Sequence, residues 1–326
     1  MSVEQYRRKL SVIIGSGPGG PGLEFSQFRV QFTIRRGDTQ TPNSADVRIF
    51  NLKSTTANTI RSEFTQIAIQ AGYDGNFGLI FLGSIKQYRI GRIDQKDGYV
   101  DVTAADGDQA YNFAPISASL EANAATSQGV ASTLLNAMAR FGDVSTTPGY
   151  EPNLLLNKPP RGRVFYGMAR DEMRKFSQQQ NCAWSIQDGK LMLIPLTSYV
   201  PGEIPLISPS TGLIGIPEQT QNGIEVRVLL NPFIKVGQAI RLDSTINQYR
   251  YGLDLQSVAT NQLLSTSIKT NPDGLYYVMS VNHSGDTRGN AWYTDLTCLS
   301  IDATVPSVAT ANALTAAPSN SIPMYP

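Results

Sequence analysis

The chain repeats itself. Gly78-Leu79-Ile80-Phe81-Leu82-Gly83-Ser84-Ile85 lines up with Gly274-Leu275-Tyr276-Tyr277-Val278-Met279-Ser280-Val281. Further on, Tyr99-Val100-Asp101-Val102-Thr103 lines up with Tyr293-Thr294-Asp295-Leu296-Thr297. Between the two matches the spacing changes by two residues, as a slightly shorter loop in the second copy would produce. Alternating apolar and polar residues mark half-buried strands, and any two hairpins share that pattern. Matched Gly, Leu, Ser, Tyr, Asp and Thr at corresponding points favour duplication. Such a chain is expected to fold as two related β units around whatever lies between them.

The first unit reads as β. Phe28, Val30, Phe32 and Ile34 alternate with Arg29, Gln31, Thr33 and Arg35. Strands are also expected at Asp46–Leu52, Ile67–Tyr73, Leu79–Leu82, Ile85–Ile90 and Tyr99–Ala104, with Gly-Asp, Asp-Gly and Gly-Asn turns between several of them. One short helix interrupts them, with Ser54 as N-cap and Ala57, Ile60 and Phe64 on one face. The period then changes. Val130, Leu134, Met138 and Phe141 predict an amphipathic helix over Thr126–Phe141, stopped by Gly142. After a loop from Ser145 to Arg163, a second helix is expected at about Tyr166–Gln180, with Ala169, Met173 and Phe176 inward. A hairpin follows from Ala183 to Ile194, turning at Asp188-Gly189. From Ile207 the β pattern resumes at Ile224–Leu230, Ile234–Leu242, Leu275–His283 and Trp292–Ile301.

The expected organisation is therefore an N-terminal arm (1–23), a first β-barrel (24–112), an α+β insertion (113–206), a second β-barrel (207–304) and a flexible tail (305–326). The fold class is mainly β with an α+β insertion. The tail from Asp302 carries almost no charge and no periodicity, the composition of a segment that orders on a partner.

Composition removes several functions. Lys and Arg number 27 against 26 Asp and Glu, which argues against a generally basic nucleic-acid surface. The charged fraction is 16%, below the roughly 25% of an average soluble domain. An obligate assembly subunit, whose interface cores are poor in charge, has such a composition. One His and two Cys cannot supply a His-rich or Cys-rich metal centre. Cys182 and Cys298 fit no CxxC spacing and read as buried thiols in a reducing compartment. Neither a signal peptide nor an apolar run long enough for a membrane helix stands out.

The motifs that could carry chemistry have plainer readings. Gly15-Ser16-Gly17-Pro18-Gly19-Gly20 satisfies GxGxxG, but Pro21 and Gly22 follow and the next element is a strand. A dinucleotide site needs a helix there, so a turn between strands is expected and an oxidoreductase is rejected. Asp106 with Asp108, Asp94 with Asp97, and Asp171 with Glu172 lie in turns or on a helix surface, where carboxylates are ordinarily solvated. His283 stands at a strand end and no GxSxG accompanies it, so a surface or hydrogen-bonded structural role is expected. Arg7-Arg8-Lys9 reads as a solvated terminal charge run. Phe28, Phe32, Phe50, Phe64 and Phe81 fall at core-facing positions, so packing accounts for them before glycan binding does. No catalytic, cofactor-binding or metal-binding residue is assigned.

Several segments together resemble the tail-hub (baseplate hub) proteins of contractile-tailed phages, relatives of the hub part of type VI secretion spikes. They are Val47-Arg48-Ile49-Phe50-Asn51-Leu52 before a helix, Ile67-Ala68-Ile69-Gln70-Ala71-Gly72-Tyr73, and Ile80-Phe81-Leu82-Gly83-Ser84-Ile85. Gly212 to Pro217, Leu229-Leu230-Asn231-Pro232 and Gly237 to Leu242 are similar to the start of the family's second barrel, and Trp184 with the Asp188-Gly189 hairpin to its middle region. The resemblance implies a non-enzymatic homotrimer in which two tube-like domains per chain make a pseudo-sixfold ring. It implies contacts with a tail tube or tube-initiator protein above and a central spike protein below. Baseplate wedge and tape measure proteins are further contacts, DNA passes at most passively, and there is no cofactor or membrane anchor. The implied place is the virion tail baseplate, assembled in the host cytoplasm. A glycan-binding or cell-wall-degrading all-β tail protein is the alternative.

Overall fold

The computed structural model describes residues 6–17, 22–93, 97–155, 160–220, 223–243, 250–251 and 274–301. In the first part, β1 (Tyr6–Gly15), β2 (Gly22–Glu24), β3 (Val30–Gly37), β4 (Ser44–Phe50), β5 (Gln66–Asp74), β6 (Asn76–Arg92) and β7 (Gly98–Ala105) accompany one helix, α1 (Ser54–Glu63). The middle holds α2 (Asp108–Phe113), β8 (Pro115–Leu120), α3 (Ser127–Ala139), β9 (Arg163–Met168), α4 (Ala169–Gln179) and the hairpin β10 (Cys182–Gln187) with β11 (Lys190–Pro195). The last part has β12 (Leu206–Ile207), β13 (Leu213–Thr220), β14 (Gly223–Leu229), β15 (Ala239–Leu242), β16 (Arg250–Tyr251), β17 (Leu275–Asp286) and β18 (Trp292–Ser300).

The mainly β class is borne out, and the two β parts are joined. β17 pairs antiparallel with β3, from Ser280 opposite Gly37 to Asp286 opposite Gln31. One hydrogen-bonded path runs β16-β13-β14-β18-β17-β3-β4-β7-β6-β5-β1-β2, with β15 on β17 and β12 on β15. The described pairings close neither part into a barrel. The repeated segments lie on β6–β7 and β17–β18, antiparallel neighbours in each case, but the pairing corrects the first match: Gln87 faces Thr103 as Ser280 faces Thr297, so the structural counterpart of Gly274–Val281 lies three residues beyond Gly78–Ile85.

Three apolar clusters follow the three stretches. Val30, Phe32, Ile34, Val47, Ile49, Ile67, Ile69 and Phe81 centre the first, the second gathers α3, α4 and the β10–β11 hairpin around Leu134, Phe176 and Trp184, and Val226, Tyr276, Val278 and Leu296 centre the third. Trp292 and Leu230, from the last part, belong to the first cluster. Both expected thiols are buried and free.

Several local expectations are corrected. Leu79–Leu82 and Ile85–Ile90 form one 17-residue strand, β6, because a bulge absorbs the break in alternation. Residues 6–15, read within an N-terminal arm, are strand β1 along β5, with Val12 and Ile14 fully buried. Lys53, not Ser54, stands at the N-cap of α1. Thr126 caps α3 through the Gly129 amide, but the helix ends at Ala139 and Phe141 is exposed. Tyr166 lies in β9, 86% exposed, because that segment pairs with β8 before α4 begins. Phe28 sits in a turn and is exposed, its ring 5.9 Å from that of Phe25. Of Ile234–Leu242 only the last four residues are strand, although Ile234 and Val236 are buried. The tail from Asp302 lies outside the described residues.

Candidate functional site

The duplication extends to side-chain geometry. Arg48 on β4 lies opposite Asp101 on β7, with Nε–Oδ1 at 2.7 Å and Nη2–Oδ2 at 2.9 Å. Arg227 on β14 lies opposite Asp295 on β18, with the same two bonds at 2.6 and 3.1 Å. Each guanidinium also lies over the repeat's tyrosine, Arg48 at 4.2 Å from the Tyr99 ring and Arg227 at 5.6 Å from that of Tyr293. Two residues earlier, Asp46 faces Thr103 and Glu225 faces Thr297. Asp46-Val47-Arg48-Ile49 and Glu225-Val226-Arg227-Val228 are thus a third member of the repeat, which the sequence comparison missed because its spacing differs from that of the others.

Residues paired across strands share a face. One row runs Arg227, Asp295, Asn282, Arg35, Ser44, and a second runs Asp286, Gln31, Arg48, Asp101, Arg89. One polar face therefore crosses both halves, from β14 to β6. An open cleft of about 570 Å³ sits on it, lined by Gln31, Asp46, Arg48, Arg89, Asp101 and Asp286. Charges of both signs alternate there, and exposed pairs of this kind contribute only about 0–1 kcal/mol each. Asp286 is pushed up by partial burial, but bonds from Arg29, Gln31 and the Arg288 amide outweigh this and bring it to about 2.

Behind this face, the sheet meets the middle segment through a buried polar cluster. Arg36 donates to the Ile80 carbonyl at 2.9 Å, to Gln187 Oε1 at 3.1 Å and to Asp188 Oδ2 at 2.9 Å. Asn43 donates to Gln187 Oε1 and to the Ile186 carbonyl, both at 2.9 Å. Asp106 accepts the amides of Asp188 and Gly189, at 2.5 and 2.8 Å. The turn can take this position because Asp188 and Gly189 both adopt positive φ, 53° and 71°. Asp106 is raised to about 7 by burial and by the neighbouring Asp188 charge, against the pull of Arg36 and the two amides. Burial likewise raises Asp38 to about 7, although the Tyr277 hydroxyl donates to it at 3.0 Å.

The sequence candidates are placed as follows. Asp106 is not solvated; it anchors the hairpin turn. Asp108 pairs with Lys86 at 2.8 Å. Asp97 accepts from Asn51, and Asp94 lies outside the described residues. Asp171 and Glu172 pair with Arg174 and Lys175 one helical turn on. His283 lies inside β17, fully buried, its Nδ1 2.9 Å from the Thr294 hydroxyl, and burial with the nearby Arg36 charge lowers it to about 3. The hydrogen-bonded reading holds and the strand-end, surface one does not. Arg8 and Lys9 belong to a paired strand: Arg8 donates to the Gly289 carbonyl at 2.6 Å, and Lys9 meets Asp74 at 2.6 Å. Gly15 and Gly22 face one another where β1 and β2 pair, with 18–21 outside the described residues. Among the described residues, no group of three His, Cys, Asp or Glu could hold a metal, and no helix is long and apolar enough to cross a membrane.

Protonation of the cluster is coupled to folding. Asp38 and Asp106 hold a proton in the fold up to about pH 7 but release it near pH 4 when unfolded, so the stability each adds is lost as pH rises between those values. His283, neutral in the fold down to about pH 3, removes stability as pH falls below its ordinary 6.5. Two carboxyls outweigh one imidazole. Urea unfolding is expected to show about 3 kcal/mol more stability at pH 5 than at pH 8. Asp38→Asn is expected to shrink that difference; an unaltered difference would exclude Asp38 as a source of it.

The fold is shared with phage tail proteins. A tail protein from Neisseria meningitidis MC58 aligns over 90% of this chain and 96% of its own, at TM-score 0.53 and 10% identity. The 43 kDa tail protein of prophage MuSo2 from Shewanella oneidensis aligns over 89% and 97%, at TM-score 0.53 and 7% identity. No curated protein sequence matches the chain significantly. Residues 115–252 match the family described as Baseplate hub gp41. The resemblance to baseplate hub proteins drawn from the sequence is thereby borne out. The matched stretch contains the Trp184 hairpin and Gly212–Leu242, and the first-half motifs lie outside it.

Proposed function

We propose that this chain is a structural, non-enzymatic hub of a phage tail baseplate. Three copies form a ring with pseudo-sixfold symmetry that joins the tail tube to the central spike. The observation that carries this reading is the repeated Arg–Asp ladder on one sheet. Two equivalent units per chain let three chains present six similar surfaces to a hexameric tube, while the unequal remainder keeps threefold character for a trimeric spike. The middle segment, locked to the sheet by Arg36 and Asp106, holds each subunit in one shape. Tube and spike proteins are the principal partners, with wedge and tape measure proteins at the periphery. The polar face offers passing DNA no strong field of one sign. Function thus lies in the virion tail.

Native mass measurement on the full chain, alone and with a tube protein, tests this. A trimer that caps tube assemblies is expected. A stable monomer that binds or cleaves a saccharide would overturn the reading.

A further inference from the structure

The middle segment has a core of its own. Trp292 and Leu230 carry the last part of the chain into the first apolar cluster, whereas the middle cluster takes its buried members only from residues 110–193. The bonds that tie this segment to the sheet are polar: Arg36 and Asn43 reach Gln187 and Asp188, and Gln187 Nε2 donates to the Gly37 carbonyl at 2.7 Å. Separate cores with a polar joint between them move as bodies once that joint is broken. From β7 the chain enters the segment through Gly107, which precedes α2 at φ 64°. A Cβ there would come within 2.7 Å of Ile186, so the turning point is also a close approach that only glycine fits.

Asp106, the residue before this hinge, accepts the Asp188 and Gly189 amides, and the charges facing it are Asp188 on the hairpin turn and Arg36 on β3. Two carboxyls thus share one guanidinium, and Asp188 Oδ1, buried, has no partner among the described residues. The neighbouring charges are engaged elsewhere. Lys86 of β6 pairs with Asp108 of α2, Asp143 accepts the Gln109 and Ala110 amides, and Asp38 is bonded to Tyr277. His283 lies near Arg36 and is neutral above about pH 3. A proton on Asp106 therefore removes one of two adjacent like charges and gives the cluster a further donor.

We propose that the middle segment is a rigid arm, hinged at Gly107 and latched to the sheet by the proton on Asp106. With the proton in place, Asp106 holds the turn beside Asp188 without repulsion. Without it, two adjacent carboxylates bear on Arg36 alone, and the turn leaves the sheet with the arm behind it. Asp106 keeps its proton in the closed form up to about pH 7, so the arm is closed below that value and released above it. The latch lies within one chain, so it goes beyond the hub reading and stands or falls without it.

Spin labels on the full chain test it, at Ile90→Cys in the sheet and Val164→Cys in the arm, both exposed sites in a chain whose native thiols are buried. Double electron–electron resonance is expected to give one distance at pH 6 and a second at pH 8.5, with circular dichroism unchanged. Asp188→Asn, which removes the like charge, is expected to keep the single distance at both pH values. Asp38→Asn alters a carboxyl bonded within the sheet and is expected to leave the release as it is. In the unlabelled native chain, protection of the Asp188 and Gly189 amides from hydrogen exchange, corrected for the intrinsic rate, is expected to fall about tenfold or more from pH 6 to pH 8.5. Amides paired between β10 and β11 are expected to keep theirs. Either a single distance at pH 8.5 or full protection of both amides there would overturn the latch. So would a second distance that persists in Asp188→Asn or vanishes in Asp38→Asn. Loss of the β10–β11 protection at pH 8.5 would overturn the rigid arm.

Discussion

Arg36→Met is expected to release the middle segment from the sheet at a cost of about 3–5 kcal/mol, the usual penalty for removing one partner of a buried charge pair. The guanidinium is 4% exposed and the Asp188 carboxyl 14%. Without it, Asp188 and Asp106 face one another with no counter-charge, and the Ile80 carbonyl loses its side-chain donor. The penalty is expected to be larger at pH 8 than at pH 5, because Asp106 can take up a proton at the lower pH. Asp188→Asn in the same chain is expected to restore part of the loss. The two tryptophans separate the outcomes: Trp184 lies in the middle cluster and Trp292 in that of the sheet. Fluorescence from Trp184 in a Trp292→Phe background is expected to shift at lower denaturant than that from Trp292 in a Trp184→Phe background. Coincident transitions with an unchanged midpoint would show that Arg36 contributes nothing to this joint.

None of this cluster was legible from spacing. Arg36, Asp106 and Asp188 are far apart in sequence, and burial of a carboxylate is decided by which surface packs on it, which alternation does not report. Asp106 in particular looks like any acidic residue beside a glycine in a turn. Strand existence was legible because one wet and one dry face impose a period of two, as in β3, β4 and β7. Ends were less so. The β8–β9 pair escaped because its outer face carries Val164 and Tyr166, 77% and 86% exposed, so polarity does not alternate along β9. The repeat was visible on β6–β7 and β17–β18 but hidden on β4 and β14, where Arg48 and Arg227 answer the repeated aspartates. That third match was within reach: each repeated Asp on one strand calls for a cation directly across the ladder.

Trp292→Ala is expected to cost about 3–5 kcal/mol, the range for truncating a buried tryptophan. The loss should be felt where the two halves join. Trp292 opens β18 in the last part of the chain, yet its ring is 1% exposed in the first cluster and lies edge-on to Phe32, centroids 5.5 Å apart. Arg8 of β1 lies 5.7 Å from the ring centroid while bonding to the Gly289 and Asn290 carbonyls just before it. The indole nitrogen has no hydrogen-bond partner among the described residues, so its loss orphans none of their polar groups and the penalty is one of volume and contact. Trp292→Phe should accordingly cost less than half as much. Hydrogen exchange is the discriminating measurement. Amides of Ser280–Asp286 on β17 and of their partners on β3 are expected to lose protection together, while β10 and β11 keep theirs. Trp184→Ala, equally buried, should give the opposite pattern. Loss confined to β18 would mean that backbone pairing alone holds the halves together, and the apolar bridge from Trp292 to Phe32 would not be what makes the two repeats one sheet.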